Sequence, residues 1–206
     1  MLATILADLK AHVDPRQPAP VFWAKVLGKL LLAPAAQVVV LYRISHVLHQ
    51  HVLTRPFAFV LRTVAIVWGG TEIHPAARIG PGLCLNHSQM VLIGEGVTIG
   101  AHARISHGVS IGGDPGRGTA EALAGWPVLG DGVTVGLHAI VLGPVTVGDH
   151  AVISAQSMVV RDVPAHGVVA GSPARLVKML DEDLPKYGDP FHRERRPLLR
   201  RTRSTR

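Results

Sequence analysis

The sequence predicts a parallel β-helix of hexapeptide repeats, preceded by a small helical segment and followed by a polar tail. Three observations carry this expectation. From Ile73 onward an aliphatic residue returns at every sixth position. Hydrophobic residues make up 48% of the chain but aromatics only 4%, so the core is built from thin, repeated layers of Val, Ile, Leu and Ala. Finally, 22 Gly and 15 Pro among 206 residues demand frequent turns.

Residues 1–70 form the helical segment. Apolar patterns compatible with helices run over 22–32, 37–52 and 56–67, separated by Pro34 and by the turn Thr54-Arg55-Pro56. They are expected to pack as short helices against one end of the β-helix. The apolar stretch 30–42 contains Pro34, the run 57–68 is interrupted by Arg62, and neither reaches the ~20 residues of a membrane-spanning helix.

Residues 71–178 carry the repeat. Ile73, Ile79, Leu85 and Val91 keep one phase, which slips by two and resumes at Ile93, Ile99, Ile105 and Ile111. After an excursion over 112–128 it returns at Leu129, Val135, Val141, Val147, Ile153 and Val159. A period of six fits neither a helix at 3.6 residues per turn nor an ordinary strand with its period of two. It fits a triangular coil in which each hexapeptide makes one flat side and one corner. The aliphatic points inward, a small residue follows at the bend, and stacked coils pair their strands about 4.8 Å apart.

Residues 179–206 are polar, with Pro185, Pro190 and Pro197 against any long helix, and are expected to be disordered. The formal charge of +7 is concentrated there. Seven Arg against Glu194 over 193–206 give +6 and leave about +1 for the body. No aromatic interleaves with these arginines, which argues against nucleic acid. Peripheral contact with an anionic membrane surface is the second reading of the tail. Cys84 is the only cysteine, which excludes an intrachain disulfide and a cysteine-rich metal site. No signal peptide is recognisable, so a cytoplasmic location is expected.

Twelve histidines offer candidates for a general base. With about 18 residues per coil, Glu72 would stack on residue 90, near His87, so that a carboxylate could orient an imidazole across neighbouring coils. From Glu72 to about Lys178 the chain resembles the serine acetyltransferases, which belong to the hexapeptide-repeat O-acetyltransferases. The matching pieces are Glu72-Ile73-His74-Pro75-Ala76-Ala77, Leu85-Asn86-His87, Val91-Leu92-Ile93-Gly94-Glu95, Val109-Ser110-Ile111-Gly112-Gly113 and Ala170-Gly171-Ser172-Pro173-Ala174-Arg175. Tyr42-Arg43-Ile44-Ser45-His46 resembles a segment that precedes the repeat in that family.

The resemblance implies a left-handed β-helix, acetyl-CoA as acetyl donor, no metal, and a homotrimer with active sites between subunits. Pairing of trimers into a hexamer through the N-terminal helices is a further step of the same expectation. It places His87 as catalytic base and Glu72 as its partner carboxylate, which is usually Asp. Gly113, Ala155 and Arg175 fall at cofactor-contacting positions, and the excursion matches a loop that folds over the substrates.

Two departures affect the acceptor. Asn86 stands where the family places Asp, and Gly125-Trp126-Pro127 stands where it places Arg-His-Pro. Sugar-modifying relatives also lack that pair and resemble Ser106-His107-Gly108-Val109. Asn86, His107 and Trp126 are therefore expected to face the acceptor. L-serine ranks narrowly first as acceptor, ahead of a sugar hydroxyl in polysaccharide or glycolipid synthesis and a secondary-metabolite alcohol. A catalytically inactive structural β-helix is the reading from another class. The ending Ser204-Thr205-Arg206 argues against docking into the sulfhydrylase of cysteine synthesis, where the family commonly ends in Ile.

Overall fold

The computed structural model describes residues 1–113 and 125–180. Four helices lead: α1 (Leu2–Ala11), α2 (Ala19–Leu32), α3 (Pro34–His49) and α4 (Arg55–Gly69). The last three overlie the expected apolar patterns, with Pro34 as the first residue of α3 rather than a plain breaker. A proline tolerates that position because the N–H it lacks would have no partner in the first turn. The axes of α2 and α3 meet at 77° across that proline. Helix α1 was not anticipated. Among the described residues, no single helix is long and apolar enough to cross a membrane.

The rest is a parallel β-helix with three faces. The first face stacks β1 (Thr71–Ile73), β4 (Val91–Ile93), β7 (Ser110–Gly112), β10 (Ile140–Leu142) and β13 (Met158–Val159). The second stacks β2 (Arg78–Ile79), β5 (Thr98–Ile99), β8 (Val128–Leu129) and β11 (Thr146–Val147). The third stacks β3 (Cys84–Leu85), β6 (Arg104–Ile105), β9 (Thr134–Val135), β12 (Val152–Ile153) and β14 (Gly167–Ala170). It ends on β15 (Arg175–Met179), which turns back antiparallel to β14.

All fourteen aliphatics of the repeat are buried; thirteen stack as three columns, and Val91 lies out of phase with them, beside Thr71. Ile73, Ile93, Ile111, Val141 and Val159 form the first column. Full burial of one such side chain contributes about 1.5–3 kcal/mol, so the column is the main source of cohesion. The excursion 112–128 leaves the coil after β7 and rejoins it at β8 without disturbing the register, since Ile99 pairs directly with Leu129. Its middle, 114–124, and the tail from 181 lie outside the described residues.

The first coil corrects the expected stacking. Glu72 lies beside Leu92, not residue 90. Leu85 still pairs with Ile105, so the two extra residues sit between Leu85 and Ile93, at the corner from the third face to the first. That longer corner carries Asn86 and His87.

A different corner, from the second face to the third, is held by aspartates. The Asp131 carboxylate accepts from the backbone N–H of Ala101 (2.6 Å), and Asp149 accepts from that of Asp131 (2.8 Å). In the first coil the same service comes from Asp8 of α1. Its Oδ1 accepts from the N–H groups of Gly82 (2.8 Å) and Leu83 (2.9 Å). Helix α3 supplies donors to the carbonyls of that coil, with the Tyr42 hydroxyl on Ala77 (2.8 Å) and the Arg43 guanidinium on Ile79 and Gly80. Burial pushes the Tyr42 hydroxyl up to about 12, so it stays a donor at any working pH.

Candidate active site

The long corner projects His87 outward, where the side chain is exposed. The next coils place histidines on the same edge. The rings of His87 and His107 have centroids 5.7 Å apart at 71°, and those of His107 and His138 are 5.0 Å apart at 88°. Backbone bonds hold this edge in register, with the His138 N–H on the His107 carbonyl (3.1 Å). His138 adopts a left-handed backbone conformation at φ 54°, and its ring folds over Gly108 of the coil before. Any side chain at position 108 would collide with that ring, so the histidine ladder requires this glycine.

A cavity of about 570 Å³ opens beside His87 and His107. The coils contribute Asn86, His87, Gln89 and His107 to its lining; the helices contribute His12 and Lys29. The His12 ring meets the Asp8 carbonyl through Nδ1 at 2.7 Å. Burial lowers its proton affinity, and the nearby Lys29 charge acts in the same direction. Cys84, buried just below the cavity, has its thiol pushed up by the same desolvation and is inert. Among the described residues, no three His, Cys, Asp or Glu side chains are grouped to hold a metal ion.

The residues expected at the site divide. Asn86, His87 and His107 line one cavity. Ala155 lies exposed on the same edge, beyond His138, where the Gln156 N–H bonds to the Leu137 carbonyl (2.7 Å). Gly113 is elsewhere, at the corner from the first face to the second. Trp126 packs there too, over Gly94, Gly96 and Gly113, and is not part of the cavity that Asn86, His87 and His107 line within one chain. Its ring fills a notch left by three residues without side chains. Arg175 is on β15 at the far end, donating to the Ala174 carbonyl (2.9 Å) and lining a cavity of about 150 Å³ with Arg161 and Asp162.

Glu72 is not joined to His87 either. Its carboxylate forms an ion pair with Arg62 of α4, on the outer side of the first face. The corner itself stays bonded to that strand, with the Thr71 hydroxyl on the Ser88 carbonyl and the Met90 N–H on the Gly70 carbonyl (2.8 Å), so it is the ion pair with Arg62 that engages the carboxylate. Sequence reasoning missed Lys29, His12 and His138. The last was legible, since His138 and His107 follow Val135 and Ile105, which stack on one another.

No family model matches the chain. Serine acetyltransferase 2 of Arabidopsis thaliana is 37% identical over 183 residues, which are 89% of this chain and 54% of that one. The chain thus spans about half the length of that relative. Among solved structures, serine acetyltransferase of Neisseria gonorrhoeae in complex with serine has a TM-score of 0.73 at 35% identity, covering 86% of this chain and 69% of that one. Serine acetyltransferase of Brucella abortus in complex with coenzyme A has a TM-score of 0.75 at 30% identity, covering 87% and 68%.

Proposed function

Because the chain belongs to the serine acetyltransferase family, we propose that it transfers the acetyl group of acetyl-CoA to the hydroxyl of L-serine. The observation that carries this reading is His87, exposed on the lengthened corner at the mouth of a cavity. Acyl transfer needs a base that meets both solvent-delivered substrates, and a corner histidine is free to do so. The His87 imidazole takes the hydroxyl proton as the oxygen attacks the thioester carbon. The C–S bond then breaks, and the departing thiolate receives a proton to give coenzyme A and the O-acetyl ester. His107 supports the His87 ring edge-on, and Asn86 offers an amide to the acceptor.

The assembly is a homotrimer. Gly113, Trp126 and Arg175 lie away from the His87 edge in one chain, so a groove between neighbouring chains is the arrangement that brings Gly113 and Arg175 to acetyl-CoA and Trp126 to the acceptor. Exposed apolar side chains on α4, among them Phe57, Val60, Val64 and Val67, provide the surface for pairing trimers into a hexamer.

The test is release of coenzyme A thiol from acetyl-CoA by the purified chain with L-serine, homoserine or a panel of sugars, with its mass measured by light scattering. L-serine-dependent turnover by a trimer or hexamer is expected. Turnover with a sugar alone would move the acceptor, and no turnover with any hydroxyl would leave a structural β-helix.

A further inference from the structure

The helical segment brings one charge to the cavity that the repeat does not account for. Lys29 lies in the last turn of α2 and lines the same cavity as His87 and His107. Neighbouring lysines of the segment are engaged: Lys10 lies 5.2 Å from the Trp23 ring centre, and Lys25 donates to Gln17 at 3.3 Å. Among the described residues, Lys29 makes no hydrogen bond or ion pair. Among the described residues, no Asp or Glu lines the cavity. The charge of Lys29 is felt by His12, in the same lining, and by Cys84, the neighbour of the lining residue Leu85.

The turn that carries Lys29 is also fixed. The Gln37 side chain of α3 donates to the carbonyls of Leu30 (3.1 Å) and Leu31 (2.9 Å), the two residues before the last of α2. The same amide accepts from the Trp68 indole at 2.7 Å. These bonds tie α2, α3 and α4 together at the point where α2 ends, so the backbone under Lys29 does not swing freely. An exposed ammonium on a fixed turn, without a hydrogen-bond or ion-pair partner among the described residues and lining one cavity with a general base, is placed to meet an anion.

We propose that Lys29 is a specificity-determining residue that holds the acceptor's carboxylate while His87 addresses its hydroxyl. The proposal rests on the reading of the chain as an L-serine O-acetyltransferase. It makes the helical segment, not the coil, the part of the chain that reads the acceptor's charge. The other reading of Lys29 is a solvated surface cation.

Calorimetric binding and turnover separate these. L-serine is compared with L-serinamide, which keeps the hydroxyl and the ammonium but loses the negative charge. The native chain is expected to bind L-serine about ten- to a hundred-fold more tightly than the amide, the usual range for a lost charge-assisted hydrogen bond. Lys29→Met should abolish that preference by weakening L-serine alone, Lys29→Arg should restore part of it, and acetyl-CoA affinity should not change in either. In turnover the loss should fall on KM rather than kcat. Native-like preference in Lys29→Met, or equal binding of both compounds by the native chain, overturns the proposal. If the preference follows Lys29 but L-serine is never acetylated, Lys29 keeps its role as the carboxylate-binding residue, and the serine acetyltransferase reading is what fails.

Discussion

Arg43 and Asp8 form a buried two-point ion pair that ties α1 and α3 to the first coil. Nε donates to Oδ2 at 2.7 Å and Nη2 to Oδ1 at 3.1 Å, with the side chains 7% and 1% exposed. Each charge also satisfies the backbone, the carboxylate at Gly82 and Leu83 and the guanidinium at Ile79 and Gly80. Removing one partner leaves the other charge buried without compensation, at a cost of about 3–5 kcal/mol. Asp8→Asn and Arg43→Met are each expected to lower stability on that scale in urea unfolding. The double variant should lose much less than the two losses added; strict additivity would show that the pair is not coupled.

His87→Ala should reduce turnover by about 10²–10⁴-fold while leaving acetyl-CoA binding and the melting temperature close to native. The side chain is exposed, so little packing is lost with it. A folded variant with native turnover would remove His87 from the chemistry. A variant that instead loses melting temperature would make it a structural corner residue.

The Trp126 ring sits where a methyl group on Gly96 would have to be. Gly96→Ala should therefore force the indole out of its notch, cost about 1–3 kcal/mol as overpacking does, and shift the tryptophan emission to longer wavelength. The same substitution combined with Trp126→Ala should recover most of the lost stability. An unchanged spectrum in Gly96→Ala would mean that the ring occupies the notch only loosely.

Acid should weaken the fold before the carboxylates titrate. His12 has its proton affinity lowered below the ordinary 6.5, chiefly by burial, and His74 is lowered for the same reason. The unfolded chain takes up these protons near 6.5 while the folded chain does not. Stability is therefore full above that pH and falls as pH drops below it. Urea titrations between pH 7.5 and 5.5 should show this slope, and His12→Asn should flatten part of it. An identical slope in the variant would assign the effect elsewhere.

The period of six was legible because every coil repeats the same local demand, an aliphatic inside and a bend beside it. Ile93 and Val141 show this, since both stack on Ile111 although the excursion lies between Ile111 and Val141. A second series of buried residues along the sequence, including Val97, Ala103, Val109 and Val133, keeps the same period two residues earlier and is harder to read because alanine alternates with valine in it. Other features depend on contacts between distant segments. The phase slip at Val91 was visible, but treating the first coil as an ordinary one put Glu72 beside the wrong residue. Asp8 meeting Gly82, and Lys29 reaching the cavity of His87, follow from where the helices dock, and no local pattern encodes that. Of the candidate site, the histidine edge could be read from the chain; its lid of helices could not.

The covered ends of the coil stack decide how the molecule behaves in a crowded solution. A bare first coil would offer a row of unpaired strand edges onto which a second chain could be laid, and then a third, because each coil is a template for another of the same shape. Tyr42, Arg43 and His46 occupy that row by bonding to Ala77, Ile79, Gly80 and Pro75, and Asp8 occupies its N–H groups. At the opposite end β15 runs antiparallel and breaks the parallel pattern. The two devices turn a potentially endless filament into an object of defined length, so chains stripped of residues 1–50 should grow end to end into fibres whose length increases with concentration.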